Sequence, residues 1–444
     1  MTAGAIADSV TVVGAGLAGC EVAWQLARRG VSVVLYEARP GWTSPAHETE
    51  DFAELVCSNS LRASRPTHAV GLLKNEMRRL GSLVLEAADA CAVPAGRALA
   101  VERGAFARTM TERIEAEPRI EVRREALDEL PEEPLAVLAT GPLTAPPLAA
   151  ALGALLGEEH LYFYDAIAPI VYADSIDHDI AFRASRWEDG EGDYLNLPLD
   201  RAGYEAFVAA LVAADTLPLH GHEARLYFEG CLPVEEMARR GRDTLAFGPM
   251  KPVGLRDPRT REQPHAVVQL RQEDKRGVLY NLVGFQTRLR IGDQKEVLRS
   301  LPGLADAVFA RFGSVHRNTY VNAPAQLRSP LEVRARPGLY VTGQLAGVEG
   351  YVESAALGLL TGIHLAARAQ GRVSAPPPPE TAHAALLRHL SEADPRHFQP
   401  MNVNFGLFPP LPRTGRKIPK REKQEQLAAR AQAALEPWAA EVSP

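Results

Sequence analysis

The chain has 444 residues, 49 basic against 55 acidic, a net charge of −6 and 46% hydrophobic residues. That balance suits a globular protein of more than one domain and excludes a chain that coats nucleic acid along its whole length. Four cysteines without a CxxC pair fit a reducing compartment better than a disulfide framework, and no apolar run reaches spanning length, so a cytoplasmic protein with no membrane association is expected.

Val10–Val13 is a β-branched apolar run of the kind a buried parallel strand uses. It stops at Gly14, Ala15, Gly16, Leu17, Ala18 and Gly19, and a helical pattern follows with Val22, Leu26 and Ala27 on one face and Gly30 as its stop. Val31–Tyr36 is a second strand and ends at Glu37. This βαβ unit carries the dinucleotide fingerprint. Gly14 permits the turn, Gly16 lets a pyrophosphate approach, Gly19 allows close packing, and Glu37 is placed to accept from an adenosine ribose hydroxyl.

Arg39–Glu54 is irregular and leads to Leu55–Arg62, where the charge turns basic. Leu72–Leu80 and Arg103–Glu115 read as helices, with Ala98–Val101 and Ile120–Arg124 as strands. Leu135–Gly141 is an apolar strand ending in Thr140-Gly141, where a backbone can lie against a bound cofactor. The texture changes near Tyr172. Beyond it come a helix at Leu199–Ala213, a strand at Ala224–Phe228, and a hairpin in which His265–Arg271 and Leu279–Phe285 flank Glu273–Gly277. Helices at Gly292–Leu301 and Leu304–Phe312 close this part. Leu339 to Gln344 returns to a strand running into Gly343-Gln344, and Gly350-Tyr351 opens a long helix whose small face (Ala355, Ala356, Gly358, Gly362) suits packing on a sheet. Residues 376–379 are a stiff four-proline connector, and a basic run and a terminal helix end the chain.

The glycine turn, Ala139–Gly141, and Gly343-Gln344 with the Gly350 helix start form a three-part layout that resembles the flavoproteins of the glutathione-reductase superfamily. That resemblance implies FAD: pyrophosphate on the first motif, nucleotide walled by Thr140 and Gly141, and Gly343, Gln344, Gly350 and Tyr351 at the far end. The fold class is then α/β, a Rossmann-like FAD-binding domain of the glutathione-reductase type with an α+β insertion domain. The expected division is 1–175 and 321–444 for the FAD-binding domain and 176–320 for the insertion. Neither a second GxGxxG nor a CxxxxC follows, so a nicotinamide donor has no Rossmann domain of its own.

Six stretches narrow the resemblance: VTVVGAGLAGCEVAWQLA (10–27), ELVCSNSLR (54–62), the run from Glu229 to Leu255, YNLVGFQTRL (280–289), LYVTGQLAGVEGYVESAA (339–356) and FQPMNVNFGLFPP (398–410). Together they resemble the bacterial folate- and FAD-dependent tRNA uracil-5-methyltransferases. The resemblance implies methylation of uridine 54 in the tRNA T loop, with 5,10-methylenetetrahydrofolate as carbon donor and FAD reduced by NADPH or NADH. No stable protein partner is implied.

Such chemistry needs a thiolate and a base. Cys231 lies in a loop after Gly230, and Cys57 sits in a polar Ser-Asn-Ser turn with Arg62 close in sequence, which favours a thiolate. Read from the residues alone, each is equally a small buried side chain. In the family that the chain resembles these two positions carry the catalytic cysteines, which implies Cys231 as nucleophile and Cys57 as partner or base, or the two roles reversed. Cys20 and Cys91 read as core. His220 and His222 lack a third ligand, so no metal is expected. Asn402 and Asn404 serve either folate or base edges or a turn, and Tyr351 either stacks on a base or packs on flavin. The basic residues from Arg413 to Lys423 are either a solvated tail or a phosphate-tracking surface. An NAD(P)H-dependent flavin oxidoreductase acting on a small molecule is the alternative; it leaves the PMNVNFG segment (400–406) unexplained.

Overall fold

The computed structural model describes residues 7–444 except 158–160, 167, 189, 191, 218–231 and 413–417, with backbone alone at 161–166 and 315–317. Cys231, His220, His222, the strand expected at 224–228 and the basic residues Arg413, Arg416 and Lys417 lie outside the described residues.

The first βαβ unit forms as its pattern dictates. Strand β1 (Ser9–Val13), helix α1 (Leu17–Arg28) and strand β2 (Ser32–Tyr36) follow in order. Gly30 takes φ +80° behind α1, and the Val31 N–H reaches back to the Leu26 carbonyl at 3.1 Å, a glycine stop of the Schellman kind. The sheet around this unit has seven strands in the order 327–328, 332–333, 339–341, 136–138, β1, β2, 120–123. Its five strands from 339–341 to 120–123 are parallel, and the two short strands at the other edge are antiparallel. Strands buried on both faces must be apolar throughout, which is why Val10, Val12, Leu35 and Val137 are 0–1% exposed.

A second, six-stranded antiparallel sheet runs in the order 182–184, 194–199, 266–272, 279–282, 170–172, 309–311. Ala266–Gln272 and Leu279–Leu282 pair antiparallel, as the hairpin reading requires. The hydrophobic side chains fall into two main clusters, one drawn from residues 10–152 and 320–439 and the other from 171–307.

Two expectations are corrected here. Leu304–Phe312 is a turn followed by a strand, Phe309–Arg311, because the Ile170–Tyr172 strand offers an edge and Phe309 pairs with Val171. Leu304 and Ala307 are buried through that turn, and their spacing mimics a helical face. The long helix Tyr351–Ala369 lays its small residues on α1 instead of on the sheet. A Cβ on Gly358 would lie 2.3 Å from the Ala18 oxygen, and one on Gly362 would lie 2.9 Å from the Val22 oxygen. The sequence pattern also passed over the helices Leu83–Ala90, Pro146–Leu156 and Ala382–Glu392, which are held by caps and tertiary burial.

Candidate active site

At the glycine turn each residue has a distinct geometry. Gly14 takes φ +100°, and a Cβ there would stand 2.8 Å from the Ala139 oxygen. A Cβ on Gly19 would come within 1.7 Å of the Gly14 oxygen, so α1 packs on the turn only because no side chain is present. Nothing lies within 4 Å of the corresponding point on Gly16. That open face, at the N-terminus of α1, is where backbone N–H groups can meet a pyrophosphate. Ala15, Leu17 and Ala18 are buried and shape the turn from within.

The Ala15 N–H donates to Glu37 Oε2 at 2.9 Å, while Arg39 Nε donates to Glu37 Oε1 at 2.7 Å. Burial works to raise the Glu37 pKa, but the Arg39 guanidinium and the two backbone N–H groups outweigh it and hold the carboxyl below its usual range. An ionised carboxylate at the end of the second strand is the acceptor a ribose hydroxyl requires. Gly14, Gly16, Glu37, His47 and Thr140 line one cleft. Gly141, at φ +67°, has open space about it. The first and second parts of the expected cofactor layout therefore meet in one place.

The third part stands at the start of Tyr351–Ala369. Gly343 takes φ +69° against the Ala18 methyl, and Gly350 takes φ +102° just before the helix. Gln344 Nε2 donates to Glu349 Oε2 at 2.9 Å. The PMNVNFG segment lies along this loop: Asn402 Nδ2 donates to the Glu349 carbonyl at 2.6 Å, and the Val403 N–H donates to Glu353 Oε1 at 3.0 Å. Arg62, at φ +61°, pairs with the same Glu353, whose Oε2 is buried without a hydrogen-bond partner. Asn404 Oδ1 accepts the Gly406 N–H at 3.0 Å, so this asparagine holds a turn.

Cys57 comes to this helix end through Tyr351. The phenolic oxygen accepts the backbone N–H of Cys57 at 2.7 Å and of Ser58 at 3.2 Å. Burial, then the adjacent Cys57, push the Tyr351 pKa well above that of an ordinary phenol, so it stays neutral with its one proton free to donate elsewhere. Cys57 is half-buried, whereas Cys20 and Cys91 are buried in the core. Burial also pushes the Cys20 thiol far up, the setting of an inert cysteine. Among the described residues no cluster of His, Cys, Asp and Glu could hold a metal, and no helix is long and apolar enough to cross a membrane.

Sequence reasoning missed the residues that fix the Cys57 turn. Arg103 donates Nη1 to the Leu55 carbonyl at 2.6 Å and Nε to Glu273 Oε2 at 2.6 Å. Arg271 donates to Asn59 Oδ1 at 2.8 Å and to Ser58 Oγ at 2.7 Å, and Arg311 donates to the Val56 carbonyl at 3.1 Å. One signal was present: Arg103 opens a helix with no acid in its first turn, where a cation opposes the dipole and needs another reason to be there.

Fold and site together define an FAD-binding α/β protein: the open turn, the walled cleft and the glycine-capped far helix fit the two ends of that cofactor. The match to Glucose inhibited division protein A as a family runs over residues 9–373. Two crystal forms of GidA from Aquifex aeolicus superpose with TM-scores of 0.67 and 0.68 at 14% and 16% identity, covering 97% of this chain and 74% and 76% of theirs. Relatives much nearer in sequence are the methylenetetrahydrofolate–tRNA-(uracil-5-)-methyltransferases TrmFO of Desulforudis audaxviator (57% identical over 98% of each chain) and Geobacter sulfurreducens (56% over 98% of this chain and 99% of the other). That of Anoxybacillus flavithermus is 54% identical over 95% of this chain and 97% of its own. The chain belongs to the TrmFO family.

Proposed function

We propose that this protein methylates C5 of uracil 54 in the T loop of tRNA, with 5,10-methylenetetrahydrofolate as carbon donor, in the cytoplasm and without a stable protein partner. The observation that carries the reading is the seating of the Cys57 turn on Tyr351 at the helix end expected to meet the reactive end of FAD, in a chain 54–57% identical to TrmFO enzymes along nearly its full length. The two hydrophobic clusters support a division near the expected 1–175 with 321–444 and insertion at 176–320, with Val171 on the insertion side and Tyr320 on the other.

Uracil C5 becomes nucleophilic when a thiolate adds to C6 and leaves an enolate. C5 then bonds to the methylene carbon as one folate C–N bond breaks; removal of the C5 proton by a base expels tetrahydrofolate through the second C–N bond and leaves an exocyclic methylene, and the thiolate departs once that methylene has been reduced to a methyl. Cys231 serves as nucleophile and Cys57 as base or partner. Gly14 to Gly19, Glu37, Thr140, Gly141, Gly343, Gln344, Gly350 and Tyr351 hold FAD. Bound FAD, rereduced by NADPH or NADH, supplies the two electrons that carry the methylene to a methyl. Tyr351 orders the Cys57 backbone, and the Arg62–Glu353 pair anchors the PMNVNFG segment beside it.

The assay is an unmethylated tRNA transcript with labelled methylenetetrahydrofolate and NAD(P)H. Label is expected at uracil 54, lost when that base is cytosine and lost in Cys231→Ala. Absence of label from the wild-type reaction overturns the reading.

A further inference from the structure

Phe247 is 81% exposed on a backbone that is otherwise firmly held. It ends the short helix Thr244–Phe247, in which Leu245 is buried, and buried Met250 donates its N–H to the Leu245 carbonyl at 2.9 Å. The Tyr204 hydroxyl ties this helix to the chain before it, donating to the Arg242 carbonyl at 2.8 Å and accepting the Ala246 N–H at 3.1 Å. A ring displayed in this way gains nothing from burial in the fold.

Two carboxylates on the neighbouring helices are each shared by two arginines. Glu205 takes Arg201 at 2.9 Å and Arg242 at 2.5 Å, and Glu236 takes Arg239 at 2.8 Å and Arg288 at 2.5 Å. Counted with exposed Arg240, Lys251 and Asp243 and buried Glu235, six basic groups stand against four acids, in a chain whose net charge is −6. The face is also joined to the Cys57 turn. The Met250 carbonyl accepts the Val267 N–H at 2.9 Å, and the strand Ala266–Gln272 ends where Arg271 and Gln272 bond Asn59. The five residues from Val267 to Gln272 span about 17 Å.

We propose that Phe247 and the cations around it form a docking face for RNA, on which an unpaired base stacks while Arg242 and Lys251 meet phosphates. This rests on tRNA being the substrate in the proposed reaction. Every base has a face that stacks on an aromatic ring, and guanidinium and ammonium groups track the backbone. Extrusion of a target base leaves its neighbours without stacking partners, and such a ring replaces one of them. A second copy of this chain would bring the same cations together across a two-fold contact, and an apolar partner would strip them of water. RNA is the occupant that satisfies both the ring and the charge.

The test is binding of an unmethylated tRNA transcript to the FAD-bound protein over a range of salt concentrations. Phe247→Ala should weaken binding about tenfold and leave its salt dependence as it is. Phe247→Trp keeps a stacking surface and should bind as wild type does. Arg242→Gln should weaken binding and reduce the slope of log affinity against log salt by about one. Melting curves and flavin spectra should match wild type in all three; if Phe247→Ala melts early, the Arg242→Gln slope decides. Affinity of a well-folded Phe247→Ala within about twofold of wild type overturns the proposal. An unchanged Arg242→Gln slope overturns it too, as does a Phe247→Ala protein that changes oligomeric state while its tRNA affinity holds. A wild type that binds tRNA through this face yet never labels uracil 54 overturns the methyltransferase reading and leaves the docking face standing.

Discussion

The phenolic oxygen of Tyr351 accepts the backbone N–H of Cys57 at 2.7 Å, across 294 positions of sequence. One side chain thus joins the helix end assigned to the cofactor with the turn assigned to the thiol. Tyr351→Phe removes the acceptor and leaves two N–H groups of a part-buried turn unpaired, a local cost of about 1–3 kcal/mol. Methylation should fall roughly ten- to a hundredfold through misplacement of Cys57, while the aromatic ring that the variant keeps should still pack on FAD and hold it in the protein. Steady-state kinetics with flavin absorbance on the same preparation checks both halves; unchanged turnover would show that the turn holds without the hydroxyl.

The glycine turn separates fold from binding. Gly19→Ala should prevent the close approach of α1 to the turn, since its Cβ would meet the Gly14 oxygen at 1.7 Å. The expected result is poor folding and protein without flavin. Gly16→Ala places its methyl in open space, so the apoprotein melting temperature should hold within a few degrees while FAD affinity drops at least tenfold. Thermal melts and flavin titration on both variants distinguish the two roles.

Lys74 gives a pH dependence with a definite sign. It is fully buried, donating Nζ to the Leu61 carbonyl at 2.7 Å and the Arg62 carbonyl at 3.0 Å. Burial, then the nearby Arg62 charge, lowers its pKa to about 7. The unfolded chain keeps an ordinary lysine near 10.4 and holds the proton that the folded chain gives up. Stability should therefore rise with pH between about 7 and 10, by at most about 1.4 kcal/mol per unit from this group. Lys74→Met should flatten that rise, as read from unfolding midpoints measured across the same pH range.

Glu353 holds the PMNVNFG segment through the Val403 N–H and pairs with Arg62. Glu353→Ala should free that segment and leave Arg62 without its partner, at about 1–3 kcal/mol. Proteolysis near residues 400–410 should accelerate and methylation should fall. Unaltered cleavage there would show that the segment is held by its apolar contacts, Phe398, Val403 and Phe408, which are buried.

The opening βαβ unit was legible because its constraints are local. Periods of two and 3.6, a positive φ that only glycine tolerates freely at Gly14 and Gly30, and an acid at the end of the second strand all fall within thirty residues. The cleft at Gly14, Gly16, Glu37 and Thr140 followed from those signals together with the Thr-Gly ending at Gly141. The segment 304–312 misled because buried Leu304 and Ala307 have the spacing of a helical face, while the sheet edge that claims Phe309 lies far away in sequence.

The sequence by itself determined the cofactor turn and the strand–helix alternation, and its resemblance to a known family singled out Cys57 and Cys231 as the thiols to watch. The tertiary structure alone decided what surrounds Cys57. Arg103, Tyr351 and the neighbouring Arg271 and Glu273 come from three separate places in the chain up to 294 positions away, and each reads locally as an ordinary helix, strand or turn residue. A hydrogen bond or ion pair between distant residues leaves no periodicity in the chain. Only the burial that brings them together gives it direction and strength.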